Sequence, residues 1–272
     1  MGLLLPGHHA KNLLTIALIM GHVTKCYNSA LSNQTAITMT TLLLLPGLDG
    51  TGIVFEPLLT HLPEEIDAQI VRYPVDRPMS LQEHVDFARE QFPENKPFVL
   101  LAESFSGPVG LQLLADPPAN LIGVILVATF DRAPNPFLLD AGLFLPQSLL
   151  LRLFSTTLCT RFFCLGAAPY SALRLFHAAL KSVRLDVLTQ RLQIIAKLPP
   201  PPETTFSAPC LYLQASNDHM VPACALAPLQ RHLPQLQVQQ LPGPHIILLA
   251  QPEAGARLIS DFIATLLPPA HE

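Results

Sequence analysis

Charge is scarce in this 272-residue chain: 13% of residues are Asp, Glu, Lys or Arg, with 16 Lys plus Arg against 20 Asp plus Glu and a formal net charge of −4. That is about half the charged fraction of an ordinary globular domain. No basic stripe is present to neutralise phosphates, so nucleic acid is not expected as a partner. Cysteine is sparse as well. Cys26, Cys159, Cys164, Cys210 and Cys224 form an odd set with no Cys-x-x-Cys pair, which argues against a disulfide scaffold or a structural zinc site. They read as apolar filler in a reducing, cytoplasmic setting. No His-Glu-x-x-His or clustered His/Asp/Glu set appears, and neither a metal nor another cofactor is expected. Nowhere do about 18 apolar residues run together, so no spanning helix is expected. Half the residues are nonetheless hydrophobic, in a chain long enough to bury a sizeable core.

Residues 1–39 carry one short apolar run, Leu13 to Met20, behind His8, His9 and Lys11. The run could serve as the core of a signal peptide, although Asn28-Ser29-Ala30 makes a poor cleavage site. Met39 leads directly into a strong strand pattern. Residues 1–39 are therefore read as a disordered N-terminal extension or a stretch upstream of the true start, and the fold as beginning at residue 40.

From there, short β-branched or leucine-rich runs alternate with longer amphipathic stretches, the pattern of βα units around a mostly parallel sheet covered on both faces. Strands are predicted at 41–46, 68–73, 97–103, 121–128, 209–214 and 236–241. Helices are predicted at 54–62, 80–92, 105–115, 223–233 and 252–267. About eighty residues separate the fourth strand from the fifth, far more than an ordinary connection. Residues 131–208 hold leucine and phenylalanine in helical clusters, Leu143 and Phe144 among them, and read as a helical cap inserted into a core of residues 40–130 and 209–272.

The strand around Phe98 to Leu101 runs into Ala102-Glu103-Ser104-Phe105-Ser106-Gly107 and then at once into a helix. A serine at such an elbow is pushed out of the sheet, and the residues two before and two after it must be small because strand and helix backbones crowd there. Ala102 and Ser106 both are. Upstream, the first strand ends in Leu45-Pro46-Gly47-Leu48-Asp49-Gly50-Thr51-Gly52, a glycine-rich turn that lacks the Gly-Lys-Ser/Thr of a phosphate loop. Its other use is to offer a backbone N–H to an oxyanion, here that of Leu48, paired with the N–H of Phe105 after the serine. Downstream, Asp218 follows a predicted strand, and His245 follows the next one in Pro242-Gly243-Pro244-His245. The order serine, acid, histidine matches the α/β-hydrolase arrangement and neither the chymotrypsin nor the subtilisin one.

From about 41 to 267 the chain resembles the α/β-hydrolase superfamily. Gly47 to Gly52 and Glu103 to Gly107 look like the branch of bacterial serine esterases and phytyl ester synthase-type acyltransferases. Asn217-Asp218-His219-Met220-Val221-Pro222 is similar to the family's acid motif, and Gly243-Pro244-His245 with Gln251-Pro252-Glu253 to its histidine motif. Ala102 and Ser106 stand where the family usually has glycine, and Pro46 where many members have histidine. The resemblance implies Ser104 as nucleophile, His245 as base and Asp218 as acid. Histidine suits the task because its ordinary pKa lies near neutrality.

Other residues compete. Ser106 lies in the helix's first turn and should point away. Asp131, after the fourth strand, is the alternative acid. Glu103 and Asp49 lie near the site and are read as satisfying backbone groups. His219 reads as a surface histidine, and His61, His84, His177 and His232 as structural or exposed. The expected partner is a small-molecule ester or thioester. The expected activity is that of a serine esterase or lipase acting on carboxylic esters with a hydrophobic acyl group, held in part by Leu143 and Phe144. An acyltransferase or thioesterase using the same three residues is the alternative, and a silent binding module the third reading. The greasy cap leaves contact with a lipid surface open.

Overall fold

The strand runs 40–45, 98–103, 121–127 and 210–215 are largely apolar and buried, as inner strands covered on both faces must be, whereas 66–70 and 236–241 carry Asp67, Gln69, Gln237, Gln239 and Gln240 and are partly exposed. The computed structural model describes residues 39–134, 160–203 and 206–267. By internal contacts the chain divides into Met1–Met39 and Thr40–Glu272, and the second unit is the one described below. Its six strands are β1 (Thr40–Leu45), β2 (Ile66–Ile70), β3 (Phe98–Glu103), β4 (Leu121–Val127), β5 (Cys210–Ala215) and β6 (Leu236–Leu241). They form one sheet in the order β2-β1-β3-β4-β5-β6, every neighbouring pair parallel.

Alternate residues of each strand feed two cores. Leu43, Leu45, Phe98, Leu100, Val124 and Leu126 point to one face, where α2 (Leu81–Arg89), α3 (Ser106–Leu113) and α6 (Leu226–His232) supply Val85, Val109 and Leu229. Leu42, Leu44, Val99, Leu101, Ile125 and Val127 point to the other. There α1 (Glu56–Leu59), α7 (Ile247–Ala250) and α8 (Pro252–Leu266) bring Leu58, Leu248, Ile259 and Phe262. This is the α/β-hydrolase fold, a parallel sheet with helices on both faces. Truncating a central leucine such as Leu100, fully buried, to alanine should cost about 2–5 kcal/mol.

Between β4 and β5 the described residues include a π-helical turn at Arg161–Leu165 and two helices, α4 (Tyr170–Lys181) and α5 (Leu185–Ala196). No described helix is long and apolar enough to cross a membrane.

The sequence expectation does not include α7, the helix expected over 223–233 opens as a 3-10 turn at Ala223–Ala225, and two further elements depart from it. Strand β2 begins and ends earlier than 68–73, because its ladder with β1 closes at Leu44↔Ile70. Tyr73 is buried as a loop residue, its N–H donating to Gly50 O (2.9 Å). The helix expected over 54–62 is a 3-10 turn, Ile53–Phe55, followed by the single turn of α1. The sheet places β1 at its switch point: β2 lies on one side and β3 on the other, so the crevice opens between the loops after β1 and β3.

Candidate active site

Ser104 follows directly on β3 with φ 50°, a left-handed conformation that a non-glycine residue adopts only where its surroundings hold it. They do so from two sides. Its N–H donates to Val127 O (2.9 Å), and Thr129 Oγ1 donates to its carbonyl. The result lifts Ser104 out of an otherwise buried run, leaving it partly exposed between buried Glu103 and Phe105.

His245 and Asp218 arrive on the loops after β6 and β5, which are tied together. Ser216 N–H donates to Leu241 O (2.9 Å), Asn217 N–H to Gly243 O (2.8 Å), and Gly243 N–H to Ser216 Oγ (3.2 Å). His245 Nε2 lies 2.9 Å from Ser104 Oγ, and its Nδ1 lies 2.8 Å from Asp218 Oδ2. The other carboxylate oxygen of Asp218 accepts from the N–H groups of Met220 and Val221, both at 2.8 Å. Both side chains of this pair are nearly buried. The structure thus brings together the three residues singled out in the sequence.

Two backbone donors near Ser104 are unspent. Ser104 N–H is spent on Val127, Gly107 N–H on Ser104 O and Gly50 N–H on Gly47 O; among the described residues the N–H groups of Leu48 and Phe105 have no protein acceptor. The pocket beside Ser104 draws on the ends of five strands, through Leu48, Ser104, Phe130, Met220 and His245. The segment between β4 and β5 adds Phe176 and Leu180 from α4 and Leu188, Leu192 and Ile195 from α5. Leu143 and Phe144 lie outside the described residues, as do Cys26 and Cys159.

The competing residues sit elsewhere. Ser106 is fully buried, with its hydroxyl donating to Pro46 O and lying 3.2 Å from the Tyr73 hydroxyl. Asp131 pairs with Arg132 (3.0 Å) and His232 (3.4 Å), not with His245. His219 is exposed and packs its ring on Phe162 at 4.6 Å. His84 is buried edge-on against Tyr73 and Phe105, and burial pulls its pKa down to about 4, so it is neutral. Asp49 turns back to accept from the N–H and hydroxyl of Thr51. Among the described residues no three His, Cys, Asp or Glu side chains are grouped as metal ligands would be.

Glu103 does not follow the expectation. Its Oε1 is buried without a hydrogen-bond partner, and burial, reinforced by the nearby Asp49 carboxylate, pushes its pKa up to about 8. A neutral acid therefore lines the pocket next to Ser104.

Sequence reasoning also passed over Arg191, 1% exposed on α5 and donating to the carbonyls of the Leu48 loop. The signal was there: Val187, Leu188, Arg191 and Ile195 share the buried face at helical spacing, so a cation occupies an apolar position. Burial pulls its guanidinium down to about 10, which leaves it charged at neutral pH.

No protein-family model matches the chain, and no curated protein matches it in sequence. Solved structures match it in fold. An esterase from Exiguobacterium antarcticum is 13% identical, with a TM-score of 0.67 over 83% of this chain and 92% of its own. A thermophilic esterase from Thermogutta terrifontis is 16% identical, with a TM-score of 0.67 over 84% and 91%. MenH from S. aureus is 13% identical, with a TM-score of 0.66 over 84% and 95%. At this identity the likeness establishes the shared fold.

Proposed function

We propose that the protein is a serine hydrolase that cleaves carboxylic esters with a hydrophobic acyl group through an acyl-enzyme at Ser104. One observation carries the reading: an unbroken hydrogen-bond chain from Ser104 Oγ through His245 to Asp218, at 2.9 and 2.8 Å, beside an apolar pocket. As Oγ bonds to the ester carbonyl carbon, His245 Nε2 takes its proton, and Asp218 holds the Nδ1–H tautomer and offsets the imidazolium charge. The negative charge on the carbonyl oxygen meets the N–H groups of Leu48 and Phe105, with the positive end of the α3 dipole beneath. The C–O bond breaks, and the proton on Nε2 passes to the departing alkoxide. Water then attacks the acyl carbon, giving its proton to His245; the acid leaves and Ser104 regains its hydrogen.

In this reading the 131–208 insertion is a cap, and Phe176, Leu180, Leu188 and Leu192 take the acyl chain in place of water. The esterase names of the similar structures support ester cleavage. Hydrolysis of p-nitrophenyl esters from acetyl to decanoyl is the test. Turnover that improves with acyl length and falls about 10⁴-fold or more in Ser104→Ala is expected. A folded protein inert towards every ester would overturn the reading. With a long-chain alcohol present, free acid is the expected product, and a new ester would make the protein a transferase.

A further inference from the structure

We propose that Arg191 is a positioning residue that holds the loop presenting the Leu48 N–H, so that the inserted helices set the oxyanion donor. The proposal rests on the reading of Ser104 as nucleophile and Leu48 N–H as donor. Arg191 Nη1 donates to Leu48 O (3.0 Å) and Asp49 O (2.7 Å), and Nη2 to Pro74 O (2.9 Å). One side chain thus ties the loop after β1 to the loop after β2. Its guanidinium lies 5.8 Å from the centre of the Tyr73 ring. Among the described residues no carboxylate comes within ion-pair distance of it.

A buried cation without an ion pair is costly, and its Nε has no partner. If this position served only to fill the core, leucine would do so without that cost, as Leu188 does on the same face. What leucine cannot do is fix peptide planes. The rigid fork of donors grips the two carbonyls that follow the Leu48 N–H and restricts rotation about Leu48.

Gly50 supplies an independent sign. It has φ 70°, and a Cβ there would lie 2.4 Å from Arg191 Nη1, so the loop is shaped around the guanidinium. Gly50 N–H closes the turn onto Gly47 O (3.0 Å). The start of the same helix is anchored too: Arg184 N–H donates to Val75 O (2.9 Å) and its Nη1 to Asp76 O (3.0 Å). A donor fixed in advance needs no reorganisation as the oxyanion forms, so loosening it should lower kcat and leave KM nearly unchanged.

The test uses the full chain and a p-nitrophenyl ester that the wild type hydrolyses and Ser104→Ala does not. For Arg191→Met, kcat should fall about 10²-fold with KM within about two-fold. For Arg191→Lys, a single point donor, the fall should be about 10-fold. Gly50→Ala should also lower kcat, and the double variant Gly50→Ala/Arg191→Met should be no worse than the worse single variant. Thermal unfolding separates this from simple damage: Arg191→Lys should keep a near-wild-type midpoint and still lose kcat. Full kcat in a folded Arg191→Lys or Arg191→Met, a loss confined to KM, or additive losses in the double variant would overturn the proposal. Those outcomes leave the Ser104 reading standing, whereas an inert wild type would remove that reading itself.

Discussion

Thr129 and Gly107 lie so close that a Cβ on residue 107 would fall 1.8 Å from Thr129 Oγ1, the oxygen that donates to the Ser104 carbonyl. The glycine lets the first turn of α3 approach the loop after β4, and that approach holds the strained serine in place.

Gly107→Ala should therefore move the elbow. The expected cost is about 1–3 kcal/mol of stability from overpacking, with a larger loss of turnover as Ser104 shifts relative to His245. Gly110→Ala, whose Cβ would meet Ala102 Cβ at 3.2 Å, should do less on both counts. Urea unfolding and ester hydrolysis on the two variants check the contrast.

The acid can be assigned by a matched pair. Asp218→Asn keeps an acceptor for the Met220 and Val221 N–H groups but no longer fixes the His245 tautomer, so kcat should drop about 10⁴-fold with the fold intact. Asp131→Asn touches only the Arg132 and His232 pairs and should leave kcat within about two-fold. Measuring kcat and circular dichroism on both variants decides the assignment; a larger loss in Asp131→Asn would exchange the roles.

Much of this site was legible in the sequence because its signals are local. A strand, one small-residue turn and a helix placed Ser104; strand ends placed Asp218 and His245. The glycines of 47–52 marked a turn that begins beside the serine, where a Cβ on Gly47 would lie 3.7 Å from Ser104 Cβ. What stayed hidden depends on contacts between distant segments. Nothing near Glu103 says that its carboxyl will be buried without a partner. The carbonyls that Arg191 holds lie more than a hundred residues upstream. Tyr73 misled because an apolar residue continuing a strand pattern looks like strand, while its burial comes from packing against His84 and Phe105.

Glu103 gives the protein a stability profile of known sign. In the native state its carboxyl keeps its proton up to about pH 8, whereas the unfolded chain releases it near the ordinary glutamate value of 4.5. Between those pH values the native state binds more protons, so this group's contribution to stability falls as pH rises through the window and levels off above it. Glu103→Gln, neutral throughout, should remove that slope. Unfolding free energies measured from pH 5 to 9 on both proteins check it, and parallel curves would contradict a raised Glu103 pKa.

The acyl pocket is tested from the insertion side. Leu192, partly buried and lining the pocket, should when changed to alanine lower kcat/KM for decanoyl esters several-fold more than for acetyl esters, since each buried methylene is worth about 0.8 kcal/mol. An equal loss for both chain lengths would take α5 out of acyl recognition.

Whether Ser104 is an activated nucleophile can be read by mass spectrometry after treating the folded protein with a fluorophosphonate. The expected result is one phosphonyl adduct per chain, mapped to the peptide holding Ser104, and none in His245→Ala under the same conditions. An unlabelled wild type, or an adduct on some other serine, would contradict it.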